Sequence, residues 1–430
     1  MVQRFRSLAA PLAMLWFAAG LPVVSQEVHS QEAQPQQAQQ PEGDPAQIDD
    51  KVKAEVERQL AEREKQQWTA GITPQGGGVF IKSPDGEALF RLYGYAQPTF
   101  TYTDKDNGLD FGQTDFSVRR ARLDFSADYQ ERYKLFIEVD AAPSDGTSLV
   151  EAYVQAAYVK DREYLRLGKF VTPFSTENQR SSRSLDTVER YLALDAAFSL
   201  PALDVQFGSM LWGYLDPGKK VTYYIGAWNG NSSAGAAVFQ GQNGNAHDNN
   251  SAKDYQGRLN VQWTDTLTTG AAFDSDHEEG QTLTLASYSG GQFIGLDVHG
   301  QRRGYDLDAH WKQGRLSLDS EWLSYDFRDS DVKLDGGYVQ AAVWACGSEA
   351  HGGVQPLVRA EQAQLSGDAL QTVDGRKIVA VTVGANVWFN GWTRWQINLI
   401  GEHFDGRGNG AFTAGSGWRP TVLNQLQIKF

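Results

Sequence analysis

Six basic residues in the first half of the chain stand where they could handle anions: Arg120, Arg122, Arg166, Lys169, Arg180 and Arg183. Arg120 and Arg122 alternate with Ala121, Leu123 and Phe125, and Arg166 lies between Leu165 and Leu167. A period of two puts the guanidiniums and the apolar side chains on opposite faces of a strand. If the apolar face meets hydrocarbon, the arginines must face water, because an Arg on a lipid face near the bilayer midplane costs about 2–4 kcal/mol. Lys169 follows at the turn into the next loop, and Arg180 and Arg183 belong to that loop. Arg119 has the wrong parity, which places it near a membrane boundary or at a bulge. A guanidinium offers an oxyanion two parallel donors in place of hydration water, and a series of such groups lets an ion step between weak sites. The same arginines have a plainer use: they can solvate a water-filled lumen and pair with Asp124, Glu138, Asp140 and Glu151, which fall on neighbouring polar faces.

The elements that would position these residues show the same alternation over more than 300 residues. Tyr255, Leu259, Val261 and Trp263 oppose Asp254, Gln256, Arg258, Asn260 and Gln262; Leu316, Leu318 and Trp322 oppose Arg315, Ser317, Asp319 and Glu321. Val379 to Phe389 carries a continuous apolar face, and Trp395, Ile397 and Leu399 oppose Arg394, Gln396 and Asn398. The last residues alternate as well, with Leu426, Ile428 and Phe430 against Gln425, Gln427 and Lys429. One hydrocarbon face and one charged face per strand, with turns between, predict an all-β fold: a transmembrane antiparallel β-barrel. At roughly 20 residues per strand and turn, residues 87–430 give about 16 strands, enough for an aqueous pore.

The start of the chain reads differently. Arg4 and Arg6 precede an apolar run from Leu8 to Leu21, and Val23-Val24-Ser25 follows as a small-residue cleavage site. Residues 1–25 are read as a secretory signal peptide. Residues 26–45 form a Gln- and Pro-rich segment without the apolar content to fold. In residues 46–67, Ile48, Val52, Val56 and Leu60 recur every fourth position among charged residues, which predicts a short periplasmic helix, either single or in a coiled coil. Residues 68–86 are a Gly-rich connector. The formal charge of −14 argues against nucleic acid as a partner. A single cysteine, Cys346, excludes an intramolecular disulfide. The 12 Trp, 17 Tyr and 21 Phe suit the interfacial girdles of a barrel. Asp306, Asp308 and His310 share a face, as do Asp297 and His299, but no Gly-x-Ser-x-Gly, HExxH or close Cys/His cluster accompanies them. The chain is read as non-enzymatic, with no catalytic residue, metal or cofactor.

Several segments resemble the phosphate-selective porin O/P family. They are Phe116-Ser117-Val118-Arg119-Arg120-Ala121-Arg122-Leu123; Glu151-Ala152-Tyr153-Val154 followed by Leu165-Arg166-Leu167-Gly168-Lys169-Phe170-Val171-Thr172-Pro173-Phe174-Ser175; Gly337-Tyr338-Val339-Gln340-Ala341; and Gln425 to Phe430. The resemblance implies a 16-stranded antiparallel barrel in the bacterial outer membrane, a homotrimer, and a loop after Pro173-Phe174-Ser175 folded into the lumen with Glu177, Arg180, Arg183, Glu189 and Arg190. It also implies a terminal aromatic residue, Phe430, that addresses the chain to the barrel assembly machinery. The expected function is passive diffusion of small hydrophilic solutes, including anions such as phosphate. The alternative is a structural or adhesive outer-membrane barrel tethered by its N-terminal helix.

Overall fold

The computed structural model describes residues 50, 52–59, 67–73, 77–103, 114–142, 146–200, 203–230, 252–289, 291–373, 375–409 and 417–430. The expected signal peptide and Gln/Pro-rich segment lie outside the described residues. Residues 52–59 form a helix, α1, within the segment read as helical. Val52 and Val56 are exposed on it, and Arg58 pairs with Glu55 at 2.8 Å. The chain divides into two units, residues 1–60 and 61–430.

The second unit is a closed antiparallel sheet. It opens with a short hairpin, β1 (Thr69–Ile72) and β2 (Val79–Lys82), in the stretch read as a Gly-rich connector. Its main strands are β3 (Ala88–Thr103), β4 (Thr114–Tyr129), β5 (Tyr133–Asp140), β6 (Ser148–Val159), β7 (Glu163–Val171), β8 (Val205–Tyr214), β9 (Val221–Trp228), β10 (Asp254–Gln262), β11 (Leu267–Ala286), β12 (Gln292–Gln313), β13 (Leu316–Phe327) and β14 (Val332–Val343). A three-residue strand, β15 (Cys346–Ser348), precedes β16 (Gly352–Ser366), β17 (Lys377–Trp388), β18 (Thr393–Phe404) and β19 (Gly417–Lys429). Setting aside β1, β2 and β15, sixteen strands pair in chain order. β19 then pairs with β3, which closes the ring of sixteen strands. Phe430 extends this seam: its N–H donates to the Gly94 carbonyl at 3.0 Å, and the Gly94 N–H donates to the Phe430 carbonyl at 3.2 Å.

The alternation in the sequence becomes two faces. Leu259, Leu318, Trp322, Val383, Leu399 and Ile428 point outward and are exposed. Their neighbours Arg258, Asp319, Glu321, Thr382, Asn398 and Gln427 point inward and are buried. Outward aromatics gather near both ends of the strands: Tyr129, Tyr133, Trp263 and Phe389 at the short-turn end, and Tyr102, Phe116 and Trp418 at the end with long connections.

The connection from β7 to β8 turns into the barrel. It carries α2 (Thr176–Gln179), a 3-10 turn (Ser182–Ser184) and α3 (Leu192–Phe198). The motif leading into it has local reasons. Gly168 has φ of +132°, and a Cβ there would collide with the Ala152 carbonyl oxygen. Phe174 packs on the Tyr325 ring at 5.0 Å, and the Ser175 hydroxyl accepts from the Asn178 N–H at 3.1 Å, capping α2. An irregular segment inside a barrel must have its backbone groups satisfied by the wall. Arg394 donates to the Leu185 carbonyl at 2.7 Å, Gln396 to the carbonyls of Leu185 and Asp186, and Gln427 to that of Arg183. Asn398 accepts from the Val188 N–H at 2.8 Å, and Glu361 accepts from the Leu192 N–H at 2.9 Å. Glu177 is fully buried: it pairs with Arg359 of β16 and accepts from the Tyr191 N–H at 2.9 Å.

A second intrusion comes from the β11–β12 hairpin. A register shift between Glu278 and Gln281 precedes its inward part. There Leu283, Leu285, Phe293 and Ile294 are fully buried against Leu192, Leu194 and Ala197 of α3 and against Phe404. Gly336 makes room for the helix, since a Cβ there would lie 2.5 Å from the Ala193 Cβ. Tyr288 at the hairpin tip donates to Glu361 at 2.8 Å, and Ser287 donates to Glu402 at 2.8 Å. The apolar cluster therefore sits inside the barrel, which strand alternation alone does not anticipate.

Two substitutions test this architecture in urea titrations of the protein in detergent micelles. Val383→Arg, on the outward face of β17, should lower unfolding free energy by about 2–4 kcal/mol. Arg359→Ala, which strands the Glu177 carboxylate, should lower it by about 3–5 kcal/mol. An unchanged midpoint for Val383→Arg would contradict the assignment of faces, and one for Arg359→Ala would contradict the anchoring of the inward segment.

Candidate functional site

Inward rows of β3, β4 and β5 carry the first predicted basic residues. Arg120 pairs in register with Gln97, and Arg122 with Tyr95 and Asp140. Arg122 donates to Asp140 at 3.1 Å and pairs with Glu138, so its charge is balanced by two carboxylates. Arg120 donates to the Gln97 amide oxygen at 3.2 Å and has no ion-pair partner among the described residues. The register skips Arg119: Gln97 opposes Arg120 and Pro98 opposes Val118. This bulge turns Arg119 inward, where it pairs with Glu189 of the inward segment at 2.8 Å. Burial works to raise the Glu189 carboxyl pKa, but the guanidiniums of Arg119 and Arg120 outweigh it and hold the group below its usual range.

Arg166 faces the lumen from β7, opposite Gln155 and Met210. Its Nε and Nη2 donate to the Gln155 amide oxygen at 3.2 and 3.0 Å, and its guanidinium lies 4.3 Å from the Tyr153 ring centroid. It too has no ion-pair partner among the described residues. Lys169 departs from the expectation that it lines the pore. The register pairs it with Ala152 and Phe207, on the outward row shared with Leu165 and Leu167, because it stands three positions after Arg166 and an odd offset reverses the face. Its ammonium donates to the Leu149 carbonyl at 2.8 Å. Arg180 and Arg183 are on the inward segment. Arg180 donates to the Ser184 carbonyl at 2.7 Å and pairs with Asp186 at 3.2 Å. Arg183 lies 4.9 Å over the Tyr93 ring, with Asp124 at 3.9 Å.

The opposite wall holds more arginines, all structural. Arg258 pairs with Asp306 at 3.0 Å and with Asp308; Arg302 pairs with Asp274 at 2.8 Å, with Asp254 and Asp276 at 3.4 Å, and with Glu278. With Arg359 and Arg394 these side chains are almost fully buried; Arg258, Arg359 and Arg394 contact Thr176, Glu177 and Leu185 of the inward segment, whereas Arg302 ties wall strands to one another. Asp306 and Asp308 thus serve Arg258, while His310 pairs with Asp319.

The accessible luminal space lies on the other side. A cavity of about 340 Å³ beneath the inward segment is lined by Arg166, Arg183 and Lys134, by Asp124, Glu138 and Glu151, and by aromatic side chains of β3, β5, β6, β8 and β9. A larger hollow of about 580 Å³, near Leu307, Trp322 and Val339, lies on the outward apolar face and has no part in the lumen. Sequence reasoning places Arg119 at a membrane boundary or a bulge, and the bulge is present; it misses the inward pairing of Arg119 with Glu189 and the luminal aromatics, which alternate no differently from lipid-facing ones.

Solved structures share this architecture at low identity. An anion-selective porin from Comamonas acidovorans is 12% identical with a TM-score of 0.56, covering 80% of this chain and 100% of that one. OmpT of Vibrio cholerae is 10% identical with a TM-score of 0.54, covering 80% and 98%. OprB of Pseudomonas putida is 9% identical with a TM-score of 0.56, covering 80% and 95%. At such identity the likeness is one of fold. No curated protein matches the chain significantly. The family described as phosphate-selective porin O and P matches residues 90–415. With the inward basic rows, the closed sixteen-stranded sheet and the loop folded into the lumen, this match shows that the chain belongs to the phosphate-selective porin O and P family of outer-membrane barrels.

Proposed function

We propose that this porin passes small hydrophilic solutes by diffusion and favours anions, phosphate among them, without nucleotide or cofactor. The observation that carries the preference is Arg166, a luminal guanidinium fixed by an amide and an aromatic ring rather than by a carboxylate. Its charge remains available to a passing ion, whereas those of Arg258, Arg302 and Arg359 are balanced by their partners. Arg120 and Arg183 extend the path past the inward segment, and Arg122, Arg119 and Arg180 shape its field. The anion-selective character of the Comamonas relative supports this reading.

The apolar packing of α3 and the β11–β12 hairpin inside the barrel favours a second reading, a closed structural or adhesive barrel. Conductance in planar bilayers separates the two. The porin reading expects discrete channels, a reversal potential on the anion side in a potassium chloride gradient, and a shift toward cations of several millivolts or more in Arg166→Ala, with a smaller one in Arg120→Ala/Arg122→Ala. Absence of channels would favour the structural barrel, and a cation-selective wild type would end the anion preference while leaving the porin.

By the same reading, residues 1–25 are a signal peptide, residues 46–67 lie in the periplasm and help hold a homotrimer, and Phe430 at the β19–β3 seam is read by the assembly machinery. Protein purified from outer membranes should then begin near Gln26 and have a trimer's mass by light scattering. Deleting residues 46–67 should weaken that trimer, and Phe430→Ala should lower the assembled amount several-fold. A monomer in mild detergent, or full assembly of the Phe430 variant, would count against the corresponding element.

A further inference from the structure

We infer that the cavity beneath the inward segment binds an aromatic monocarboxylate, a planar organic anion of the benzoate type. This rests on the porin reading and names a solute class for it. The lumen face of a transmembrane barrel is ordinarily polar, yet Phe136, Tyr153, Trp212 and Tyr224 occupy inward positions and line this cavity. They form two ring pairs belonging to one apolar cluster: Phe136 and Tyr153 lie 5.2 Å apart between ring centroids, and Trp212 and Tyr224 lie 6.0 Å apart with nearly parallel planes. Solvating a pore does not require such a cluster, and an inorganic anion gains nothing from it.

Charge decides what kind of ring would be held. Arg122 takes up Glu138, and Arg183 stands near Asp124. Arg166 and Lys134 are then left against Glu151, which accepts from the Val171 N–H at 3.3 Å. Arg122 is shared between Glu138 and Asp140, so the cavity as a whole is close to neutral, and a carboxylate would be drawn by Arg166, the lining guanidinium with no ion-pair partner among the described residues. Gln155 joins the polar and apolar parts: its amide oxygen accepts from Arg166 and also from the Trp212 indole N–H at 3.0 Å. The guanidinium and the aromatic cluster are therefore held in one fixed relation, with a carboxylate meeting Arg166 and a ring meeting the cluster. A volume of about 340 Å³ is at the small end for ligand pockets and suits one ring rather than an oligomer.

The test is calorimetric titration and saturation-transfer NMR on the detergent-solubilised full-length protein, with benzoate, cyclohexanecarboxylate, benzamidine and inorganic phosphate as probes. Benzoate should bind about fivefold or more tightly than cyclohexanecarboxylate, which has the same charge without the π face. Benzamidine, with the opposite charge, should bind far more weakly than benzoate. Arg166→Gln should weaken benzoate about tenfold, and Trp212→Leu should bring benzoate and cyclohexanecarboxylate to within about twofold. Equal binding of these two by the wild type, tighter binding of phosphate or benzamidine, or benzoate binding unchanged in Arg166→Gln would overturn the inference. The wild-type panel decides even if a variant fails to fold, which heat-modifiable gel mobility reports. Conductance of the same preparation separates the two readings: channels without benzoate binding sink the site alone, and benzoate binding without channels sinks the porin.

Discussion

The interior depends on the pairing of Glu177 with Arg359. This carboxylate enters the barrel on a segment with only two short helices, and it is fully removed from water. An unpaired charge there would be expelled. Arg359 of β16 neutralises it, and its second carboxylate oxygen receives the Tyr191 N–H, which sets the start of α3. From that point the segment is bound to the wall by carbonyl, amide and carboxylate contacts reaching β13, β16, β18 and β19. Once α3 is placed, its apolar side gives the β11–β12 hairpin a surface to fold against.

The result is a lumen with two unlike halves. On the side of β10–β18, arginines and carboxylates neutralise one another and apolar side chains exclude water. On the side of β3–β9, Arg120, Arg166 and Arg183 are held by Gln97, Gln155 and the rings of Tyr153 and Tyr93. A cation on a ring keeps most of its field, because the quadrupole carries no net charge. Formal composition is a poor guide to selectivity for this reason. A chain with net charge −14 still presents positive charge along its open side, because many of its acids are spent on arginines elsewhere.

Much of the barrel is legible in the order of residues alone. The outward positions of Leu318, Trp322, Val383, Leu399 and Ile428 follow from alternation, because hydrocarbon rejects charge at every second position. Arg120, Arg122 and Arg166 follow from the same rule. It fails at Arg119, where one bulged residue changes the phase. Lys169 is a different case: its place beside a loop groups it with its neighbour Arg166, but its parity is that of the outward row. The rule is silent on Leu283, Leu285, Phe293 and Leu365, apolar residues that face a packed interior instead of lipid. A period of two separates the faces of a strand, but it does not say whether the inner face meets water or protein.

Local alternation and turn spacing thus set the solvent of the outer face, the approximate number and sense of the strands and the candidate arginines. Which arginines keep a usable charge is settled by the folded barrel. Arg258, Arg302, Arg359 and Arg394 look no different in the chain from Arg166. Arg258, Arg302 and Arg359 differ because carboxylates distant in the chain come within hydrogen-bond reach of them, and Arg394 because the inward segment buries it, while an amide and a ring hold Arg166 at the open cavity. Coulomb energy depends on distance in space, and closure of the barrel sets that distance.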